Sequence, residues 1–389
     1  MEIQSWWLLA LPLFFGLGWV AARIDLKHLL SESRALPQSY FKGLNFLMNE
    51  QPDKAIEAFI DVIKVEPQTI ELHFALGSLF RRRGEVTRAI RMHQSLLERN
   101  DLDQDRKLHT LFEIAQDYLK AGLLDRAEES FVQLDGTPYA EPSLKFLLEI
   151  YEQEKDWLKA VDTARQLEKV SGQSYQKEIA NFYCELAAHE MMNSKIQDAG
   201  AHLEDALSVH RRCVRSNVLL GDLEMNRGNF EAAIDAWKRI ESQSPLHLAL
   251  VSEKMLDAYG KLRKFEEGLH LLKGYLASYP SVELLNVAFD AELKANGVEA
   301  AYHLVRDELR KNPSLPGLDR LLEAQLMEAP PERRKDLELI KNLVHQHAKS
   351  LAQYRCETCG FNAKQFYWRC PACGGWETFP PKQSEERDK

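Results

Sequence analysis

The chain has 389 residues, 45% apolar and 28% charged, and its 50 Lys+Arg against 59 Asp+Glu leave a formal charge of −9. That length is enough for two or more buried cores, and 19 Gly with 15 Pro, in no long tract, exclude a collagen-like or wholly disordered chain. The acidic balance argues against the chain as a whole coating nucleic acid, because phosphate binding needs a basic surface. Six Cys are too few for a secreted disulfide scaffold, and four of them fall in one short C-terminal stretch, which points to a metal.

From Ile3 to Ala22 no side chain is charged, and these 20 residues match the length a helix needs to cross a hydrocarbon layer of about 30 Å. A cleaved secretory leader would open with a basic segment, whereas this chain opens Met1-Glu2-Ile3-Gln4. Trp6, Trp7 and Trp19 stand near the two ends, and Arg23, Lys27 and Arg34 follow, with Asp25 and Glu32 diluting the bias. Positive-inside logic then predicts a single-pass anchor over residues 1–22, a juxtamembrane linker over 23–35 and the bulk of the chain on the cytoplasmic side. Gly16 to Ala21 fits G-x-G-x-x-A, but no strand precedes it, so a dinucleotide loop is set aside. Gly18 and Ala22, four apart, are candidates for contact with a second membrane helix; their plain reading is the ordinary abundance of small residues in such spans.

Residues 36–350 carry a repeat. A small residue recurs at Ala55, Ala89, Ala127, Ala160, Ala199, Ala233, Gly268 and Ala300, seven steps over 245 residues with a mean of 35. Twelve positions earlier stand Gly43, Gly77, Ala115, Leu148, Ala187, Gly221, Leu256 and Ala288, followed three residues on by aromatics at Phe46, Phe80, Tyr118, Tyr151 and Tyr259. Four after the small residue come Phe59, His93, Phe131, Ala164, Leu203, Trp237, Leu272 and Leu304. This is the tetratricopeptide pattern of paired antiparallel helices, and it predicts an all-α superhelix of eight repeats, with a ninth degenerate pair over Leu315 to Ser350 turning at Pro330-Pro331.

A solenoid of this kind presents a groove that needs no catalytic residue, so its default role is to hold peptides or proteins. In the frame of related repeats, Tyr40, Phe74, Arg81 and Arg82 fall on the groove side of the first two units and are candidates for partner binding; each also reads as an ordinary surface or interhelix residue. Arg81 to Arg91 holds five Arg in eleven residues, suited to an acidic segment, a phosphate or a lipid headgroup, with a solvated face as the plain alternative. Arg211, Arg212 and Arg215 form a smaller group that reads as solvated.

Residues 354–379 contain Cys356-Glu357-Thr358-Cys359-Gly360 and Cys370-Pro371-Ala372-Cys373-Gly374. Two C-x-x-C turns can aim four thiolates at one tetrahedral ion, zinc or iron, and four protein ligands leave no open position, so the site reads as structural. A module of this size cannot fold on apolar burial alone and draws its stability from the metal. Its seven aromatics (Tyr354, Phe361, Phe366, Tyr367, Trp368, Trp376 and Phe379) exceed the needs of a mini-core, and the spacing predicts that some pack against the last helices. Residues 380–389 read as a charged, disordered tail. Cys184 and Cys213 lie on helical segments and read as small buried thiols, and His345 and His347, two apart, read as solvated. No G-x-S-x-G, no G-x-x-x-x-G-K-[ST] and no H-E-x-x-H is present, so no enzyme is expected.

Taken in order, the N-terminal span, Gly43-Leu44-Asn45-Phe46-Leu47, Leu76 to Val86, Ala121 to Glu128, Phe182 to Ala187 and Tyr367-Trp368-Arg369-Cys370-Pro371 resemble the lipopolysaccharide assembly protein B family nearly end to end. That resemblance implies a rubredoxin-like C-terminal module, usually iron-binding, with Cys356, Cys359, Cys370 and Cys373 as its ligands. It further implies an inner-membrane adaptor, facing the cytoplasm, that promotes degradation of the committed-step lipid A deacetylase by a membrane-anchored AAA metalloprotease. The same resemblance makes it a platform for lipopolysaccharide assembly enzymes, opposed by a lipopolysaccharide-sensing membrane protein. Two other functions stay open on the residues alone: a scaffold without a proteolytic role, and a rubredoxin-type electron carrier. The gap between the two Cys pairs, shorter than in free rubredoxins, weakens the latter.

Overall fold

The computed structural model describes residues 38–49, 51–65, 70–351 and 354–381. Among them no helix is long and apolar enough to cross a membrane; the candidate span, with Gly18 and Ala22, lies outside the described residues, as does the tail beyond Pro381.

Eighteen α-helices follow one another among the described residues, pairing as the repeat demands. They are α1 (Gln38–Met48), α2 (Pro52–Val65), α3 (Ile70–Arg82), α4 (Val86–Leu97), α5 (Gln104–Lys120), α6 (Leu124–Val132), α7 (Ala140–Glu154), α8 (Trp157–Ser171) and α9 (Gln176–Met192). Then come α10 (Ile196–Val209), α11 (Val214–Arg227), α12 (Phe230–Gln243), a 3-10 turn (Pro245–Leu250), α13 (Ser252–Lys261), α14 (Phe265–Ser278), α15 (Val282–Asn296), α16 (Val298–Lys311), α17 (Leu315–Met327) and α18 (Pro331–Leu351). Two short antiparallel strands close the chain, β1 (Tyr354–Arg355) and β2 (Asn362–Ala363), with Tyr354 opposite Ala363. The helices belong to two compact units, divided between Ile150 and Tyr151.

Within a repeat the helices meet where a small residue faces a large one. A Cβ on Gly43 would stand 2.3 Å from the Phe59 ring, on Gly77 2.4 Å from His93, and on Gly221 2.1 Å from the Trp237 indole. These contacts leave no room for a methyl group, so glycine here serves close approach, and the interior is packed too densely to yield. His93 is the polar exception in the series. It is fully buried, and Asp117, also buried, takes its Nδ1 at 2.5 Å.

The interhelix turns share one device. Gly84, Gly122, Lys155, Ser194, Gly228 and Arg263 all have positive φ, and each sits five residues before the recurrent small position. The next residue's N–H reaches back to the carbonyl of Phe80, Tyr118, Tyr151, Glu190, Glu224 or Tyr259, at 2.8–2.9 Å in every case. Such a six-to-one bond around a left-handed residue satisfies a helix end that would otherwise leave carbonyls without donors.

The eighth unit departs from this. Gly297 adopts φ 86° with ψ −176°, no six-to-one bond forms, and the buried small residue is Ala301, fully enclosed, instead of the expected Ala300. Val305 correspondingly takes the buried place expected for Leu304. One residue more in the turn rotates α16 onto its neighbouring register. The ninth pair forms as α17 and α18, with Ser314 capping α17 by accepting from the Gly317 N–H.

Candidate metal centre

The two C-x-x-C-G segments fold into near-copies of each other. Cys356 N–H donates to Phe361 O at 2.9 Å and Gly360 N–H to Cys356 O at 2.9 Å; fourteen residues on, Cys370 N–H donates to Gly375 O at 2.8 Å and Gly374 N–H to Cys370 O at 2.9 Å. Gly360 and Gly374 have φ of 75° and 72°, the left-handed conformation that turns the chain after each pair. In each copy the first cysteine is buried and the second exposed.

The four ligand atoms lie within 4.8 Å of one another, the one such group of His, Cys, Asp or Glu among the described residues. Sγ of Cys356 is 3.8 Å from that of Cys373, and Sγ of Cys359 is 3.7 Å from that of Cys370. A tetrahedron with metal–sulfur bonds of about 2.3 Å has edges of about 3.8 Å, so the sulfurs fit one ion bound by four thiolates. Burial opposes ionisation at Cys356, but the Thr378 hydroxyl and the Cys359 and Thr358 amides hold its thiol down at about 6. At Cys359 the Phe361 amide favours the thiolate, yet burial and the crowd of Cys356, Cys370 and Cys373 push it up to about 12. Four thiolates this close need a cation, and a bound divalent ion would supply both that charge and the free energy that folds the module. Arg355 and Arg369, each preceding a pair, lie over Gly360 and Gly374 and place a guanidinium beside the excess negative charge of such a site.

The module's Trp368 and Trp376 pack on repeats four to seven of the second unit, earlier in the chain than the last helices to which the aromatic surplus points. Trp376 is 4% exposed and sits edge-on to Trp157 and Phe182, with ring centres 6.3 and 6.0 Å away. Its indole N–H donates to Glu152 Oε1 at 3.1 Å, while Arg369 Nη2 pairs with Glu152 Oε2 at 2.6 Å. Burial pushes the Glu152 carboxyl up, and the Arg369 charge and Trp376 N–H pull the other way. Asn181 donates to Glu377 at 3.0 Å, and Trp368 stacks on His247, rings 5.4 Å apart and 11° from parallel. Arg215, expected to be solvated, is buried: it bonds Glu185 at 2.8 Å and lies 5.8 Å over Trp368 and 5.5 Å over Trp376. The reason is chemical, since a weakly hydrated guanidinium between two indoles gains more there than in water.

In the first unit, Arg81 spends its guanidinium on Glu113 at 2.7 Å and Asp117 at 2.8 Å, so it braces α3 against α5. Phe74 packs edge-on to His109 at 4.4 Å. Arg82 is exposed, Arg83 pairs with Asp53, and Arg88 caps the Phe80 ring at 4.1 Å. The Tyr40 side chain lies outside the described residues. Cys184 and Cys213 are both buried, 4.0 Å apart, with burial holding the Cys184 thiol well above its ordinary value. His345, though exposed, bonds Asp319 at 2.8 Å.

The glutamate–tryptophan anchor and Arg215 went unseen in the sequence because nothing periodic marks them; an Arg at the start of α11 beside surplus tryptophans was the one available signal. Comparison with known proteins matches residues 42–101 and 185–246 to the tetratricopeptide repeat and residues 354–381 to the rubredoxin metal binding domain. Lipopolysaccharide assembly protein B of Escherichia coli strain K12 is 33% identical over 376 residues, 96% of this chain and 97% of that protein. Lipopolysaccharide assembly protein B of Haemophilus influenzae is 32% identical over 393 residues, 98% of each. Among solved structures, a tetratricopeptide repeat protein from Parabacteroides merdae covers 74% of this chain at 16% identity and a TM-score of 0.32, too low to carry an argument.

Proposed function

This chain belongs to the lipopolysaccharide assembly protein B family, and from that premise we propose that it is a membrane-anchored, non-enzymatic adaptor that controls lipopolysaccharide synthesis. The observation that carries the reading is the pairing of a helical-repeat solenoid with a four-cysteine module fixed against its first-helix side chains, an arrangement that holds macromolecules. Residues 1–22 tether it in the inner membrane with the bulk of the chain in the cytoplasm, so that partners meet at high effective concentration. The partners are the committed-step lipid A deacetylase and a membrane-anchored AAA metalloprotease that degrades it, together with other lipopolysaccharide assembly and sensing proteins. Cys356, Cys359, Cys370 and Cys373 hold one iron ion in a structural role.

Depletion of the protein in cells should lengthen the half-life of the deacetylase without altering its transcript; an unchanged half-life would overturn the proteolytic role. Metal analysis and visible absorption of the purified full chain settle iron against zinc, and iron that cycles between two oxidation states with a partner would favour electron transfer instead.

A further inference from the structure

Away from the cysteines, α15, α17 and α18 converge with the loop after β2 on a cleft of about 590 Å³. Its wall divides into groups already paired and groups left over. Arg320 is paired: its Nε donates to Asn286 Oδ1 at 2.8 Å and its Nη1 meets Asp290 and Glu323 at 3.2 Å. His345 takes one oxygen of Asp319 at 2.8 Å. Lys349 and Lys364 are left over, both exposed and with no carboxylate at ion-pair distance among the described residues. Also left over is Asp319 Oδ1, buried and without a hydrogen-bond partner.

We infer that this cleft is a seat for an acidic, extended segment of a partner polypeptide. Lys349 and Lys364 come from different elements, the last helix and the metal module, and their ammonium groups suit carboxylates of such a segment. Asp319 Oδ1 asks for a donor, which a peptide N–H supplies without adding charge. The Asn286 amide, its oxygen taken by Arg320, keeps an N–H₂ for a peptide carbonyl. A free phosphate would satisfy the lysines but bring all its charge to one centre beside Asp319, whereas an extended segment can turn its carboxylates to the lysines and a backbone N–H to Asp319. Because Lys364 belongs to the metal module, the seat is complete only with that module docked. The inference adds a binding site to the adaptor and holds whether or not its role lies in lipopolysaccharide synthesis.

The test is fluorescence anisotropy on the full chain in detergent, with a labelled peptide of alternating Asp and Glu, its Asn/Gln counterpart as control and inorganic phosphate as competitor. The acidic peptide should bind about tenfold or more tightly than the control, and Lys349→Glu and Lys364→Glu should each weaken it by about tenfold, with a salt dependence that the control lacks. Lys349→Gln and Lys364→Gln, which keep the stem and remove only charge, should give smaller losses in protein that retains its metal and helix content. Equal binding of the two peptides, unchanged binding in the charge reversals, or full displacement by phosphate would overturn the assignment. So would binding seen only after residues 382–389 are removed, since the cleft would then be the seat of the chain's own tail.

Discussion

The repeats and the metal module reach stability by opposite routes. In the repeats one contact recurs, a small residue of one helix against a large residue of the next, as at Gly43–Phe59, Gly77–His93 and Gly221–Trp237. Each copy contributes a share, and neighbours can absorb the loss of one. The module has a cluster of only a few buried residues, Cys356, Cys370 and Phe379, so its fold is concentrated in four sulfurs. Distributed packing tolerates local damage, whereas a site with one centre fails as a whole.

The comparison is broken most severely at the sulfurs. Cys356→Ser with Cys359→Ser should abolish metal binding and unfold the module, a loss on the order of 10 kcal/mol of metal-linked folding, while far-UV circular dichroism keeps the helical signal. Gly221→Ala strikes the other region: a methyl group 2.1 Å from the Trp237 indole should cost about 3 kcal/mol and lower the thermal midpoint with metal content unchanged.

The junction between the two regions sharpens the comparison through acidity. Burial depresses the His247 imidazole from 6.5 to about 4, so the folded protein prefers it neutral while the unfolded chain protonates it first. Stability from this residue is therefore full above pH 6.5 and falls as pH drops toward 4, by about 2 kcal/mol at pH 5. His247→Gln should flatten that slope in chemical denaturation between pH 7 and 5. Glu152→Ala removes the acceptor shared by the buried Trp376 and by Arg369, whose guanidinium is partly screened by solvent, and should weaken docking by about 1–2 kcal/mol. A red shift of tryptophan emission with metal retained would report it. The smallest effect belongs to the turns: Lys155→Gly, Ser194→Gly and Arg263→Gly relieve left-handed backbone and should each raise stability by about 0.5–1 kcal/mol in thermal melts.

The repeats were readable because their contacts recur at a fixed spacing, and the cysteines because a metal demands a fixed spacing of its own. What lacks a period was not readable. Glu152 and Trp376 lie 224 positions apart, and only folding brings them to 3.1 Å. Left-handed turns at Lys155, Ser194 and Arg263 carry no glycine to announce them, and the one-residue slip to Ala301 comes from the geometry of Gly297, where an invariant count of residues would have placed Ala300. For Arg215 charge alone suggests water, while its neighbours in the fold are two indoles.

Every anchor of the module named above, Trp368, Arg369, Trp376 and Glu377, brackets the second cysteine pair, whereas the first pair continues from α18 through Tyr354. An ion shared by both pairs would work as a buckle between the segment that leaves α18 and the half moored on Glu152: with it lost, the whole module would unfold and the mooring would go with it.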